Sequence, residues 1–208
     1  MSLPAAFLSV ILIWSTTPLA IKWSTLGTGP SFAVFSRMAL GVVLSLVLLG
    51  LLRIRLPLHR AAWQTYLVGG LSLFLAMSLT YWSAQYVGSG LISVLFGLSP
   101  LVTGVAAAYW LEEQALTPSK LAGMLLGLIG LALVFHEGLG LGSHTLAGIA
   151  ALLGAVTAQS LGLVWIKRIG DMSSPVALNL GGLLVALPLF FLAWLWNDGQ
   201  WPAALPER

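Results

Sequence analysis

Four groups of polar or ionisable residues stand inside long apolar runs of this chain, and their types suit binding better than bond-making. The first is Trp14-Ser15-Thr16-Thr17-Pro18. Pro18 has no N–H to offer the carbonyl of Trp14, so a helix here should kink or open. Ser15, Thr16 and Thr17 then satisfy the freed backbone or face a ligand. The second is Arg37, about five residues inside its run at ~1.5 Å of rise per residue. An ionisable group within a span costs several kcal/mol and is a functional candidate by default. Its two readings are attraction of an anionic group, such as a carboxylate, and snorkelling of the guanidinium to the interface. The third is Ser99-Pro100, a second break near mid-run, with Thr103 one turn later. The fourth is Gln159 beside Ser160. A buried amide must find a partner, on a neighbouring helix or on a ligand. The candidate substrate-binding set is therefore Trp14, Ser15, Thr17, Pro18, Arg37, Ser99, Pro100 and Gln159, with Tyr81, Trp82 and Gln85 as a candidate outer rim.

Catalysis finds no comparable support. His59, His136 and His144 fall between the runs, and no His-Glu-x-x-His spacing occurs. Glu112 and Glu113 sit at a run's end, where they read as solvated loop residues, and no acidic pair lies within a run. Gly88-Ser89-Gly90 is a turn-like sequence without a partner histidine. Cysteine is absent, which removes disulfides and thiolate metal sites. No catalytic residue, cofactor or metal ligand is assigned, and an intramembrane enzyme would need such a constellation.

The elements that must position these residues are dictated by composition. Charged residues make up 7% of the 208 and hydrophobic ones 59%, with a mean hydropathy of +0.99. A soluble domain needs about 25% charged residues to solvate its surface. Seven apolar stretches, at 3–23, 32–52, 63–82, 91–111, 121–135, 146–166 and 176–196, fill most of the chain. About 20 apolar residues in a helix cross a ~30 Å hydrocarbon core. The fifth is short and is expected to extend back to Thr117 or Pro118. Strand-like alternation is lacking, so the expected fold class is all-α, a polytopic helical membrane protein. The first stretch is too long for a signal-peptide core and reads as a retained span. No basic run exceeds two residues, so the net charge of +3 does not point to nucleic acid. The expected partners are the lipid bilayer and a small-molecule substrate.

Lys and Arg collect in cytoplasmic loops. Arg53, Arg55, Arg60, Lys120, Lys167 and Arg168 lie in alternate loops, and the opposite loops, 84–90 and 136–144, carry none. The N-terminus is therefore expected in the cytoplasm and Arg208 outside, in a multi-pass protein of the cell (plasma or inner) membrane. Lys22 reads as a snorkelling residue at the outer end of the first span. Trp23, Trp63, Trp82, Trp110 and Trp196 fall near span ends, where amphipathic rings prefer to sit. Gly123, Gly127 and Gly130 share one face, as close helix packing requires.

Sliding the chain on itself by 145 residues aligns Leu19-Ala20-Ile21-Lys22 with Val164-Trp165-Ile166-Lys167, and Pro30 with Pro175. The sixth and seventh spans then repeat the first and second. With five spans per unit the two copies have opposite orientations, the inverted plan common among secondary transporters. The expected organisation is a first five-helix repeat over 1–144 and the start of a second over 145–208, with about three helices lacking.

With Trp14-Ser15, Ala20-Ile21-Lys22, Arg37, Tyr81-Trp82-Ser83-Ala84, Ser99-Pro100-Leu101, Leu111-Glu112-Glu113, Gly123-Met124-Leu125-Leu126-Gly127 and Ile166-Lys167-Arg168 in this order, the chain resembles the EamA family of the drug/metabolite transporter superfamily. The resemblance implies ten helices in two inverted units, and transport of small metabolites, often export of amino acids or related compounds. Substrate would enter between the repeats. The chain departs from that pattern by ending near the seventh span. The alternative is therefore an inactive or partner-dependent membrane fragment with a structural role, and a homodimer is left open.

Overall fold

The computed structural model describes residues 3–25, 29–112, 117–135, 143–197 and 199. Among these residues eight helices follow one another: α1 (Leu3–Thr25), α2 (Pro30–Leu51), α3 (Arg60–Ser83), α4 (Ser89–Phe96), α5 (Ser99–Trp110), α6 (Pro118–Phe135), α7 (Ser143–Ile169) and α8 (Pro175–Asn197). No strand occurs among the described residues. Glu113, His136 and residues 200–208 lie outside the described residues.

Among the described residues six spans are long and apolar enough to cross a membrane, with α4 and α5 together forming one of them, Ser89–Trp110. The chain is thus an all-α polytopic membrane protein. The stretch expected at 121–135 is α6, which does begin at Pro118, and its apolar part, Pro118–Gly130, is shorter than those six.

Two proline expectations separate here. Pro100 stands in the first turn of α5, where a missing N–H costs nothing. It cannot donate to Phe96, so the span divides there. The turn between the halves is carried by Leu98 N–H donating to Leu95 O at 3.0 Å and Leu101 N–H to Leu98 O at 3.0 Å. Pro18, by contrast, lies inside α1, and the helix continues through it instead of opening. The α2 end is a Schellman motif: Ile54 N–H donates to Leu49 O at 3.0 Å, Arg53 N–H to Gly50 O at 3.2 Å, and Arg53 has φ of 51°.

α3 is the centre of the bundle, packed against α7 and α8, with α2 on α8 and α5 on α7. Between apolar helices in lipid this contact is dispersion and hydrogen bonding, so small residues decide how near backbones come. Gly70 and Gly182 bring α3 against α8, and Gly162 takes the Ser72 side chain. Ser83 Oγ donates to Gly148 O at 2.8 Å, joining α3 to α7. Among the described residues, the glycines expected to pack, Gly123, Gly127 and Gly130, would have nothing within 4 Å of an added Cβ, because α6 touches chiefly α4 and, less, α5 there. α1 is peripheral: Ile21 is buried, while Phe7, Leu12, Trp14 and Trp23 are exposed.

Candidate functional site

A cavity of about 510 Å³ opens where α2 begins and α3 and α8 end. Its polar lining is Ser31 from α2, Ser78, Tyr81 and Gln85 from α3 and the residues beyond it, and Asn197 from α8. Phe74, Phe190, Val34 and Trp82 add apolar wall. The Phe74 and Phe190 rings meet edge to face with centroids 5.0 Å apart. At the rim, Trp82 and Tyr86 are 4.9 Å apart, and Tyr86 stacks on His144 at 5.6 Å.

Arg37 does not line the cavity but is bonded to one residue of its wall. It is the eighth residue of α2, so ~10 Å along the helix from Pro30. Its Nη1 donates to the Tyr81 hydroxyl at 3.4 Å. Tyr81 is buried in the main apolar cluster and lines the cavity. A phenol has a single proton to give. With the guanidinium donating to its oxygen, Tyr81 presents that proton elsewhere, and Arg37, itself exposed, reaches the wall through that one hydrogen bond.

Lys22 has a different place from the one expected. Its Nζ donates to the carbonyl of Ala84, and to that of Val87 at 3.2 Å. Ala84 caps α3, so the ammonium meets one carbonyl that the helix leaves unpaired, at the negative end of its dipole, and a second just beyond the helix. That contact pins α1 to the end of α3, beside the cavity rim.

Other candidates are placed away from the cavity. Ser15 Oγ donates to Leu12 O at 3.1 Å, Thr16 Oγ1 to Leu12 O at 3.0 Å, and Thr17 Oγ1 to Ile13 O at 2.7 Å. The hydroxyls of α1 are thus spent on carbonyls of their own helix, and Trp14 is 63% exposed on the outside of the bundle. Ser99 is joined to α7, its carbonyl accepting from Ser160 Oγ at 3.4 Å. Gln159 Oε1 is buried and has no hydrogen-bond partner among the described residues. None of Trp14, Ser15, Thr17, Pro18, Ser99, Pro100 and Gln159 lines the cavity. The rim residues Tyr81, Trp82 and Gln85 do. Ser31, Ser78 and Asn197 carry no signal of their own in the sequence: each is an isolated polar residue, Ser31 and Asn197 at helix ends and Ser78 within α3. No group of three or more potential metal ligands occurs among the described residues.

The chain matches the EamA-like transporter family over residues 3–136, and it belongs to that family. It is similar to an uncharacterized transporter, YvbV, of Bacillus subtilis (strain 168), with 26% identity over 199 residues, covering 93% of this chain and 64% of that protein. It is also similar to protein PagO of Salmonella typhimurium (strain LT2), with 25% identity over 203 residues, covering 96% of this chain and 66% of that protein. The chain therefore spans just under two thirds of the length of these relatives. No solved structure matches it.

Proposed function

We propose that this chain acts as a membrane transporter of small metabolites bearing a carboxylate, such as amino acids or related compounds, and that the cavity between α2, α3 and α8 holds the substrate. One observation carries this reading: Tyr81 stands on the cavity wall with the Arg37 guanidinium bonded behind it. The phenol donates to the substrate's carboxylate, and the guanidinium stabilises the charge, as buried anions require. Ser31, Ser78 and Asn197 take the remaining polar groups, and Phe74 and Phe190 take an apolar side chain. The wall combines α2 and α3 of the proposed first repeat, 1–144, with α8 of the second, 145–208, so substrate sits between units. Pro18, with Ser15 and Thr17 bonded beside it, and Pro100, with Ser99 bonded to α7, serve as weakened points where helices bend as the cavity changes sides. Trp14 and Gln159 meet substrate only in such a rearranged state.

Direction is proposed as export across the cell (plasma or inner) membrane, by resemblance to the family; the N-terminus is placed in the cytoplasm from the six basic residues in alternate loops against none in the opposite loops 84–90 and 136–144. The chain has no cysteine, so single cysteines at Arg55 and Gln85 report orientation: a membrane-impermeant maleimide added to intact cells labels the second alone. Labelling of the first alone reverses the orientation.

Function is tested by flux of labelled amino acids in proteoliposomes. A hydrogen bond to a charged group contributes about 1.5–3 kcal/mol, so Arg37→Gln should weaken apparent affinity roughly 10- to 150-fold. Flux unchanged by Arg37→Gln refutes the assignment of the site. A second reading, dependence on a partner chain or a homodimer, is favoured by α1, of whose span only 6% is buried. It predicts no flux from correctly folded chain alone.

A further inference from the structure

A second, wholly apolar groove of about 450 Å³ runs along the outside of the bundle between α5 and α7. Six residues of α5, from Leu101 to Trp110, line it with Leu161 of α7, and none is charged. Those nine steps along α5 cover ~13 Å, close to half of a ~30 Å hydrocarbon core. The groove thus matches the depth of one leaflet, whereas a packed transmembrane helix would run the whole span.

One end of the groove is chemically distinct. Trp110 meets Trp165 with ring centroids 6.0 Å apart, and the Arg168 guanidinium carbon lies 5.9 Å above the Trp165 ring. Leu161, Trp165 and Arg168 share one face of α7 by their spacing. Lys167 stands beside Arg168 in the last turn of that helix. Indole rings prefer the headgroup level, and clustered basic side chains at that depth bind lipid phosphate. Two described carboxylates are near in sequence: exposed Glu112, two residues beyond Trp110, and Asp171, three residues beyond Arg168, which is engaged by the Ser173 N–H and by His59.

We infer that the α5–α7 groove is a phospholipid site: one acyl chain lies along Leu101–Trp110, and the phosphate diester sits on Arg168 over the Trp165 ring. The guanidinium face is spent on the indole, which leaves its N–H edges for the phosphate. The site is separate from the cavity between α2, α3 and α8, and it does not depend on which side of the membrane each loop occupies.

The full chain, purified in mild detergent, is given equal amounts of phosphatidylethanolamine, phosphatidylglycerol and diacylglycerol with the same acyl chains, and retained lipid is counted by native mass spectrometry. Both phospholipids should be retained over diacylglycerol. Arg168→Gln should lower phospholipid retention roughly fivefold, the factor that about one basic side chain contributes at a lipid surface, and Arg168→Lys should restore part of it. Val105→Trp, which fills the groove, should remove all three lipids. Diacylglycerol retained as well as the phospholipids, or retention indifferent to Arg168→Gln, overturns the proposal. So does a Val105→Cys chain that crosslinks to a second copy in the membrane, which would make the groove a protein interface.

Discussion

Replacing Gly70 by alanine should destabilise the bundle, and the structure sets how much. A Cβ built on Gly70 would stand 2.6 Å from Val185 Cβ and 2.7 Å from Gly182 O. Carbon contacts are favourable at about 3.5–4.0 Å, so α3 and α8 must part by ~1 Å. Neither obstacle can swing away, because one is backbone and the other a branch point fixed to it. Overpacking of this kind costs about 1–3 kcal/mol. Alanine recovers about 0.8–1.0 kcal/mol of helix propensity, which leaves a net loss of ~0–2 kcal/mol. Gly123→Ala is the matched control: the same propensity is gained with nothing within 4 Å of the new methyl. Thermal unfolding of both variants in one detergent reads the difference, at about 2–4 °C per kcal/mol for a chain of this size. Gly123→Ala should melt above the parent and Gly70→Ala several degrees below Gly123→Ala. Equal melting of the two variants would refute the α3–α8 packing described here.

Three further outcomes follow from single contacts. Lys22→Met removes the donor to Ala84 and Val87 and should cost about 1–2 kcal/mol. Loosening of α1 would show as faster labelling of a cysteine placed at Ile21. Arg53→Gly, at a left-handed position of φ 51°, should stabilise by about 0.5–1 kcal/mol if its side chain makes no compensating contact; a lower melting temperature would show that it does. Asp171, in the turn between α7 and α8, is held below the usual carboxylate range first by the Ser173 side-chain hydrogen bond, then by the Ser173 backbone and by His59, whose Nε2 lies 3.0 Å away. A carboxyl depressed in the folded state contributes its stability above the unfolded value, about 3.9, and loses it as pH falls through the lower folded value. The stability gap between the parent and Asp171→Asn should therefore narrow only below about pH 4, as measured by unfolding across pH. A gap unchanged into stronger acid would remove Asp171 from the account.

Spans could be read from the sequence because hydrocarbon imposes length and apolarity on each helix separately. The break before Ser99-Pro100 was readable for the same local reason, since Pro100 removes one donor wherever its neighbours are. Pro18 shows the limit of that rule. A missing donor leaves one carbonyl unpaired, and whether the helix then opens depends on surroundings that the sequence does not state. In α1 the three hydroxyls bond back along the helix, and it stays closed. Lys22 misled for a related reason. Snorkelling and capping need the same residue at the same helix end, and only the position of Ala84 tells them apart.

Pairing between distant helices is what the sequence could not convey, and the cavity arises from pairing. Gly123, Gly127 and Gly130 are as regular a small-residue face as any in the chain, yet the backbone contact is made by Gly70 with Gly182. Tyr66 covers Gly181 so closely that no Cβ would fit there. These contacts draw α3 and α8 together near Tyr66. Toward their other ends large residues come between them: Phe74 meets Phe190, and Tyr81 and Trp82 line the cavity with Ala193 and Asn197. Helices that touch through glycine at one end and are held apart by aromatic rings at the other must diverge, and the space between them is the cavity. Its opening on one side thus comes from a gradient of residue size along two helices far apart in the sequence, Arg60–Ser83 and Pro175–Asn197. The same gradient makes Gly70→Ala more than a stability variant. Parting the closed end by ~1 Å reduces the divergence, so a carrier that works by exchanging its open and closed ends should change its flux in the same variant that lowers its melting temperature.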